Sequence, residues 1–126
     1  MSDCFELKKY LGKTVEITID RPLGSAHPRY PELIYPLNYG YIPDTISGDG
    51  EEIDVYLLGV TEPVLNYTAR VIAVIHREND VEDKLVCAPE GIVFSREQIE
   101  EAVAFQERYF QSTVILENEL LFGKRP

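Results

Sequence analysis

Residues 38–59 read NYGYIPDTISGDGEEIDVYLLG and place an acidic turn directly before an apolar run. Five acidic side chains and no basic one lie between Asp44 and Asp54. The run that follows, 55–58, is typical of a buried strand. Like charges at this density need water, remote cations or metal ions to offset their repulsion. The stretch therefore predicts a strand with an anionic turn at its start.

The charge of the whole chain limits its partners. The sequence has 126 residues, with 22 acidic against 12 basic side chains and a formal net charge of -10. Such a charge without a basic patch disfavours nucleic acid and anionic membrane surfaces as partners. A phosphate substrate is compatible with it only if cations intervene. We therefore expect a small-molecule ligand, with no nucleic acid and no membrane as partner.

Length and segment composition indicate one domain spanning residues 1–126. The sequence contains no run of about 20 apolar residues that could cross a bilayer. The first ten residues, MSDCFELKKY, lack the apolar core of an export signal. Cys4 and Cys87 are far apart in the sequence and read as reduced thiols. Together these features predict a cytoplasmic protein.

Hydrophobic patterning predicts a mainly β fold with one flanking helix, an α+β class. Ser95 and Gln98 have the spacing of a capping box and predict a helix whose buried stripe includes Ile99, Val103 and Phe110. Residues 21–36 hold four prolines and predict a loop or an irregular edge hairpin. Residues 38–45 read as rich in turns. Strands are predicted at 14–20, 52–60, 67–77, 82–89 and 112–122. This pattern indicates a small Greek-key β-barrel.

The acidic turn suggests a metal site. Asp49 and Glu51 flank Gly50, and Asp54 lies in the strand just beyond. Asp54 has the opposite parity to Ile53, so it faces away from the apolar side of that strand. Three hard oxygen ligands at one barrel mouth would suit Mg²⁺ or Mn²⁺. The alternative is a hairpin turn with solvated charges.

A second acidic group strengthens the metal interpretation. Asp80 and Asp83 lie in another turn, and Lys84 follows at once. Tyr35 and Tyr39 precede the first acidic turn with a spacing of four. In a metal-assisted phosphate site, carboxylates hold the metals while hydroxyls and an ammonium hold phosphate oxygens. The alternatives are core packing for the tyrosines and a surface ion pair for the lysine.

Three segments taken together resemble a known family. YPLNYGYIPDT, DGEEIDV and EDKLVCAP, in this order, resemble the soluble Mg²⁺-dependent inorganic pyrophosphatases. The resemblance spans residues 14–110 and implies an OB-like barrel. It also implies hydrolysis of pyrophosphate to two phosphates by a metal-activated water, with Mg²⁺ as cofactor and Mn²⁺ as the alternative. Family members often form homo-oligomers, and the residues themselves do not decide this.

The resemblance assigns roles to particular residues. It implies Glu51 as the carboxylate that activates water, with Lys84 and Tyr39 completing the catalytic set. The implied metal ligands are Asp49, Glu51, Asp54, Asp80, Asp83 and Glu16. The implied substrate contacts are Tyr35, Tyr39, Lys84, Tyr109, Arg21 and Arg29.

The chain departs from the family pattern at several positions. Glu51 replaces the middle aspartate of the signature, and Phe110 stands where a lysine usually follows the late tyrosine. The early hairpin is shortened, so Arg21, His27 and Arg29 are alternative replacements for its missing cation. Two other functions stay open. One is a metal-dependent hydrolase of another phosphoanhydride, such as a nucleotide. The other is a non-catalytic OB-like module that binds a metal or a partner.

Overall fold

A computed structural model describes residues 7–45, 50–78 and 83–117. Six strands and the helix α1 (Arg96–Glu107) lie within them. The strands are β1 (Thr14–Arg21), β2 (Asn38–Ile42), β3 (Ile53–Leu57), β4 (Asn66–Arg77), β5 (Lys84–Ala88) and β6 (Ser112–Leu116). No helix in these three ranges has the length and apolar character needed to cross a bilayer.

The strands close into a barrel. They are hydrogen-bonded in the order β1-β2-β3-β5-β4, and β1 also pairs with β4. The β3–β5 pair is parallel, whereas the other pairs are antiparallel. Strand β6 extends the sheet by pairing with β4. A closed five-stranded barrel with a flanking helix confirms the predicted α+β class and OB-like architecture.

Two apolar cores lie on opposite sides of the barrel wall. Side chains alternate between the two faces of each strand, so residues such as Ile17, Val55 and Leu85 fill the barrel interior. The outer face of the wall packs against α1, where Ile99 and Val103 are buried. The outer core includes Tyr35, Tyr39, Tyr56, Ile75 and Val86. Helix α1 therefore covers an aromatic stretch of the outer wall.

The predicted start of α1 is confirmed. The backbone N–H of Gln98 donates to Ser95 Oγ at 3.1 Å, and the backbone N–H of Ser95 donates to Gln98 Oε1 at 2.8 Å. The edge-hairpin reading of residues 21–36 is also supported, since Ala26 and Ile34 form an isolated antiparallel bridge. Residues 118–122 of the predicted last strand lie outside the described residues.

The two predicted thiols have different outcomes. Cys87 is a free, fully buried cysteine in β5, and burial raises the pKa of its thiol. Cys4 lies outside the described residues. The thiol of Cys87 therefore packs in the barrel interior as a small apolar group.

The prediction of turns over residues 38–45 was wrong for its first half, which forms β2. Gly40 lies in the middle of this strand, opposite Ile19 of β1. A Cβ added at Gly40 would lie 1.9 Å from the Thr18 carbonyl oxygen. Glycine inside a strand marks a close approach of two backbones, which looks like a turn signal in the sequence alone.

We expect Gly40→Ala to lower the free energy of unfolding by about 3 kcal/mol, because the added methyl group meets rigid backbone. Urea denaturation of both proteins measures this difference. Gly24→Ala is the control, since Gly24 has a φ of +89° but open space around it. Its expected loss is about 1 kcal/mol from backbone strain alone. Equal losses in the two variants would contradict the close approach at Gly40.

Candidate active site

A cavity of about 800 Å³ opens on the outer wall of the barrel, next to the C-terminal end of α1. Its walls come from the ends of the five strands β1 to β5, from the β1–β2 connection and from residues 106–110. Four basic side chains line it, namely Arg21, Arg77, Lys84 and Arg108, against the three acidic side chains Asp20, Glu32 and Asp54. In a chain of net charge -10, this cavity is a local concentration of cations.

Three predicted site residues meet in this cavity. Lys84 Nζ donates to Tyr39 Oη at 2.8 Å and to Asp54 Oδ2 at 2.9 Å. Tyr39 Oη donates to the same carboxylate oxygen at 2.9 Å. Lys84 is only 3% exposed, and Asp54 keeps 28% of its side chain in solvent. Asp54 thus faces away from the barrel interior, as its parity predicted, and fixes both donors.

Asp20 is a second carboxylate in the cavity, and sequence reasoning assigned it no role. Burial raises its pKa, and the negative charges of Asp54 and Glu52 add to the rise, while Arg21 and a backbone hydrogen bond oppose it. The sequence could have indicated this position, because Asp20 lies an even number of residues from Glu16 in β1 and so points to the same outer face of the strand. The carboxylates of Asp20 and Asp54 in the cavity are therefore close enough for electrostatic repulsion between them.

A buried ion pair joins Arg77, in the cavity lining, to Glu107 beneath it. Arg77 donates to Glu107 from Nε at 3.1 Å and from Nη2 at 2.6 Å. The Glu107 carboxylate also accepts from Tyr56 Oη at 2.6 Å and from Ser112 Oγ at 2.5 Å. Burial alone would raise the pKa of Glu107, but these hydrogen bonds outweigh burial and lower it. Glu107 is therefore held ionised under the outer core.

Arg77 brings a cation to Phe110. Its guanidinium lies 3.7 Å from the centroid of the Phe110 ring, and both residues line the cavity. The family pattern predicted a missing cation beside Tyr109, because Phe110 stands where a lysine is usual. Arg77 and the neighbouring Arg108 instead supply two cations that were not predicted from the sequence. No signal in the sequence marked Arg77, because it is the last residue of a long strand.

Tyr35 lies beneath the cavity rather than in its lining. It is fully buried, and its hydroxyl accepts from Arg21 Nη1 at 2.7 Å. The same hydroxyl donates to Gln106 Oε1 at 3.2 Å, and Gln106 Nε2 donates to Tyr56 Oη at 2.7 Å. Tyr35 therefore positions Arg21 at the cavity. A direct contact of Tyr35 with substrate stays a prediction.

Asp83 is turned away from the cavity. It is 2% exposed, and both carboxylate oxygens lie 3.1 Å from His76 Nδ1. One oxygen also accepts from the backbone N–H of Arg77 at 3.2 Å. Its predicted role as a metal ligand stays untested, and Asp49 and Asp80 lie outside the described residues. Within the described ranges, no three His, Cys, Asp or Glu side chains form a group that could hold a metal ion.

The remaining predicted residues lie at the surface. Glu16 is exposed and opposite Thr68, outside the cavity lining. Glu51 is exposed in the turn before β3, and Arg29 is exposed in the β1–β2 connection. Tyr109 lines the cavity and is 68% exposed. The structure therefore brings Tyr39, Lys84, Asp54, Arg21 and Tyr109 into one cavity, while the roles of the others stay predictions.

These observations define an OB-barrel protein whose cleft gathers the lysine, arginine and tyrosine donors that suit a phosphate anion. The model of the family described as inorganic pyrophosphatase matches residues 6–117. The chain therefore belongs to the inorganic pyrophosphatase family.

Individual relatives match over shorter stretches. The inorganic pyrophosphatase of Neisseria meningitidis serogroup A is 48% identical over 60 residues, which are 43% of this chain and 33% of that protein. That of Saccharolobus solfataricus is 39% identical over 75 residues, which are 57% of this chain and 40% of that protein. The chain thus spans about a third of the length of the first of these curated relatives.

Solved structures share the fold. An inorganic pyrophosphatase from Neisseria gonorrhoeae superposes with a TM-score of 0.61 at 22% identity, covering 94% of this chain and 84% of that chain. The inorganic pyrophosphatase from Thermus thermophilus gives a TM-score of 0.59 at 19% identity, covering 86% of each chain. At these identities the likeness establishes the barrel architecture.

Proposed function

We propose that this protein hydrolyses inorganic pyrophosphate to two phosphates and that Mg²⁺, or alternatively Mn²⁺, is its cofactor. The observation that supports this most is the cluster of Tyr39, Asp54 and Lys84 in a cavity lined by cations. Family membership supplies the reaction, since the family model matches most of the chain. A cytoplasmic location and a homo-oligomeric assembly belong to the same proposal.

The cavity's donor chemistry fits a divalent cation. Asp54 and Asp20 both line it, and Mg²⁺ is usually bound by one or two carboxylates together with substrate phosphates. Burial and neighbouring negative charge raise the pKa of Asp20, so its ionised form is disfavoured. A bound cation would stabilise the ionised form. When bound, the metal supplies a water of lowered pKa and neutralises phosphate charge. Asp54 and Asp20 would hold it, and the other ligands stay predictions: Asp49 and Asp80 lie outside the described residues, whereas Asp83 and Glu16 lie outside the cavity lining.

The chain's own donors would bind and orient the substrate. Lys84 would donate to a phosphate oxygen, because Asp54 already fixes its ammonium in the cavity. Tyr39 has a single hydroxyl proton, which Asp54 accepts in this structure, so Tyr39 would donate to phosphate once a bound metal occupies that carboxylate. An ammonium has three protons to donate, so Lys84 would turn one of them toward the anion while it keeps its contact with Asp54. Arg21, held by Tyr35, would add a second cation. Tyr109 and Arg29 complete the proposed substrate contacts.

The proposed base is Glu51, in the turn that precedes β3. A carboxylate there would take a proton from the attacking water as the bond to phosphorus forms. Glu51 is exposed and outside the cavity lining, at the edge of residues 46–49, which lie outside the described ranges. The proposal for Glu51 therefore rests on the sequence signature, and a variant of this residue tests it most directly.

A non-catalytic OB-like module is the second candidate function. It is favoured by the pairing of Asp54 with Lys84, which shows a carboxylate already neutralised by the chain's own cation. Such a cavity would bind an anion without turning it over. Phosphate release separates this candidate from the enzyme.

We expect phosphate release from pyrophosphate with Mg²⁺ and none above buffer with EDTA, measured colorimetrically. Calcium should inhibit, because its looser coordination misplaces the attacking water. Lys84→Met should lower the rate at least tenfold by removing a charged donor. Lys13→Met is the matched control, since Lys13 is exposed and outside the cavity. No release by folded wild type would overturn the enzyme proposal, and unchanged release with Lys84→Met would overturn the role proposed for Lys84.

A further inference from the structure

We propose that the cavity accepts a nucleoside polyphosphate, whose base stacks on Tyr30 and Tyr109 while its phosphates occupy the cation-lined part. The inference rests on the proposed phosphate site and names a larger class of ligand for it. Tyr30 and Tyr109 line the same cavity as Lys84 and Arg21.

The size of the cavity exceeds what pyrophosphate needs. Its volume is about 800 Å³. Pockets of about 300–1,000 Å³ typically enclose organic ligands much larger than two phosphoryl groups. The cluster of Tyr39, Asp54 and Lys84 accounts for one part of the lining, and the rest combines charged side chains with a group of rings and apolar side chains that includes Tyr30, Leu33 and Tyr109. Part of the remaining volume therefore lies beside rings that suit a planar base.

Two tyrosine rings of the lining are open to solvent. Tyr30 is 56% exposed and Tyr109 is 68% exposed, so core packing does not account for either ring. The Tyr30 ring centroid lies 5.1 Å from that of His27, and His27 stacks on the buried Tyr35 with an interplanar angle of 11°. Tyr30 is thus the outer member of an aromatic group anchored in the core.

Cations accompany the exposed rings. The Arg108 guanidinium carbon lies 5.7 Å from the Tyr109 ring centroid, and Arg77 covers Phe110 at 3.7 Å. Base stacking on aromatic rings, reinforced by arginine, is the common means of holding a nucleobase without reading its edges. Arg108 would also attract the phosphates of the ligand, whereas the charge of Arg77 is already paired with Glu107. The acidic remainder of the chain would repel a long nucleic acid, which leaves a single nucleotide as the ligand.

A matched pair of non-hydrolysable probes tests this inference. Methylenediphosphonate mimics pyrophosphate, and its adenosine ester differs from it only by the nucleoside. By calorimetry with Mg²⁺ present, we expect the ester to bind at least tenfold more tightly, because stacking on one aromatic ring is worth about tenfold or more. An ester that binds equally or more weakly, or no binding of either probe, would overturn the inference.

Variants identify the rings that carry the preference. Tyr30→Ala should lower the ester's preference over methylenediphosphonate about tenfold, whereas Tyr30→Phe keeps the ring and should keep the preference. Leu65→Ala is the control, because Leu65 is 77% exposed and lies outside the cavity. If Tyr30→Ala weakens both probes equally, Tyr30 does not contact a base and the inference fails. Phosphate release from pyrophosphate, measured separately, reports on the proposed hydrolysis.

Discussion

Replacing Glu107 with glutamine is expected to lower the free energy of unfolding by about 3–5 kcal/mol. The side chains of Arg77 and Glu107 are 4% and 5% exposed, so the substitution leaves a guanidinium buried without its counter-charge. Urea denaturation at pH 7 measures the loss. Glu117→Gln is the matched control, because the Arg70–Glu117 pair is 34% and 28% exposed and its expected contribution is about 0–1 kcal/mol.

The same pair predicts a pH dependence. The folded state lowers the pKa of Glu107, since hydrogen bonds to the ionised carboxylate outweigh the opposing effect of burial. Because the pKa of Glu107 is lower in the folded state than in the unfolded state, its ionisation stabilises the folded state fully above pH 4.5, the unfolded value. That stabilisation is lost as the pH falls from there through the folded pKa. Glu107→Gln should therefore lose less stability than wild type as the pH is lowered below 4.5. Equal acid sensitivity, or equal losses for Glu107→Gln and Glu117→Gln, would show that the buried pair is not stabilising.

Glu51→Gln should lower kcat for pyrophosphate about 10²- to 10⁴-fold, because the amide keeps the shape of the side chain and removes the proposed base. Steady-state phosphate release at saturating Mg²⁺ measures it. Glu52→Gln is the control, since it removes the neighbouring carboxylate of the same exposed turn. Similar losses in both variants would mean that the charge of the turn matters and that Glu51 is not the base.

Glu51→Asp separates two states of the site. Glutamate is one methylene longer than aspartate, which displaces the carboxylate by about 1.5 Å on a fixed backbone. A misplacement near 1 Å can cost about 10²-fold in rate. Faster hydrolysis by Glu51→Asp would show a site in which glutamate is badly placed. Slower hydrolysis would show a cavity rebuilt around the longer side chain.

Local patterns in the sequence predicted most of the fold. Alternation identified β1, richness in β-branched residues identified β3 and β4, and the capping box at Ser95 marked the start of α1, because these signals arise from neighbours in the chain. Strand β2 was not predicted because Gly40 resembles a turn residue in the sequence. The glycine is needed there because the backbone of Thr18, a residue distant in sequence, approaches closely. Parity also placed Asp54 on the outer face of the barrel. An element was predictable wherever its conformation depends on residues that are neighbours in the sequence.

The candidate site was predictable only in part. Tyr39 and Lys84 were singled out by their places beside the two acidic turns and by the family resemblance, and the structure brings them together at 2.8 Å. Arg77 and Glu107 were not found, because a charged residue in a sequence gives no sign that a distant partner allows its burial. Their contact joins the end of β4 to the end of α1, thirty positions apart along the chain. Tertiary packing alone determines such a pair.

The hydrogen bonds beneath the cavity all run in one direction. Arg21 donates to Tyr35, Tyr35 to Gln106, Gln106 to Tyr56, and Tyr56 to Glu107. The first member has only protons to give and the last has only lone pairs, so no hydroxyl in between can turn round without breaking a bond. The amide of Gln106 prevents reversal as well, because its nitrogen cannot accept. This series of hydrogen bonds therefore cannot carry protons back and forth. It forms a dipole whose direction is fixed, with the Arg21 end at the cavity.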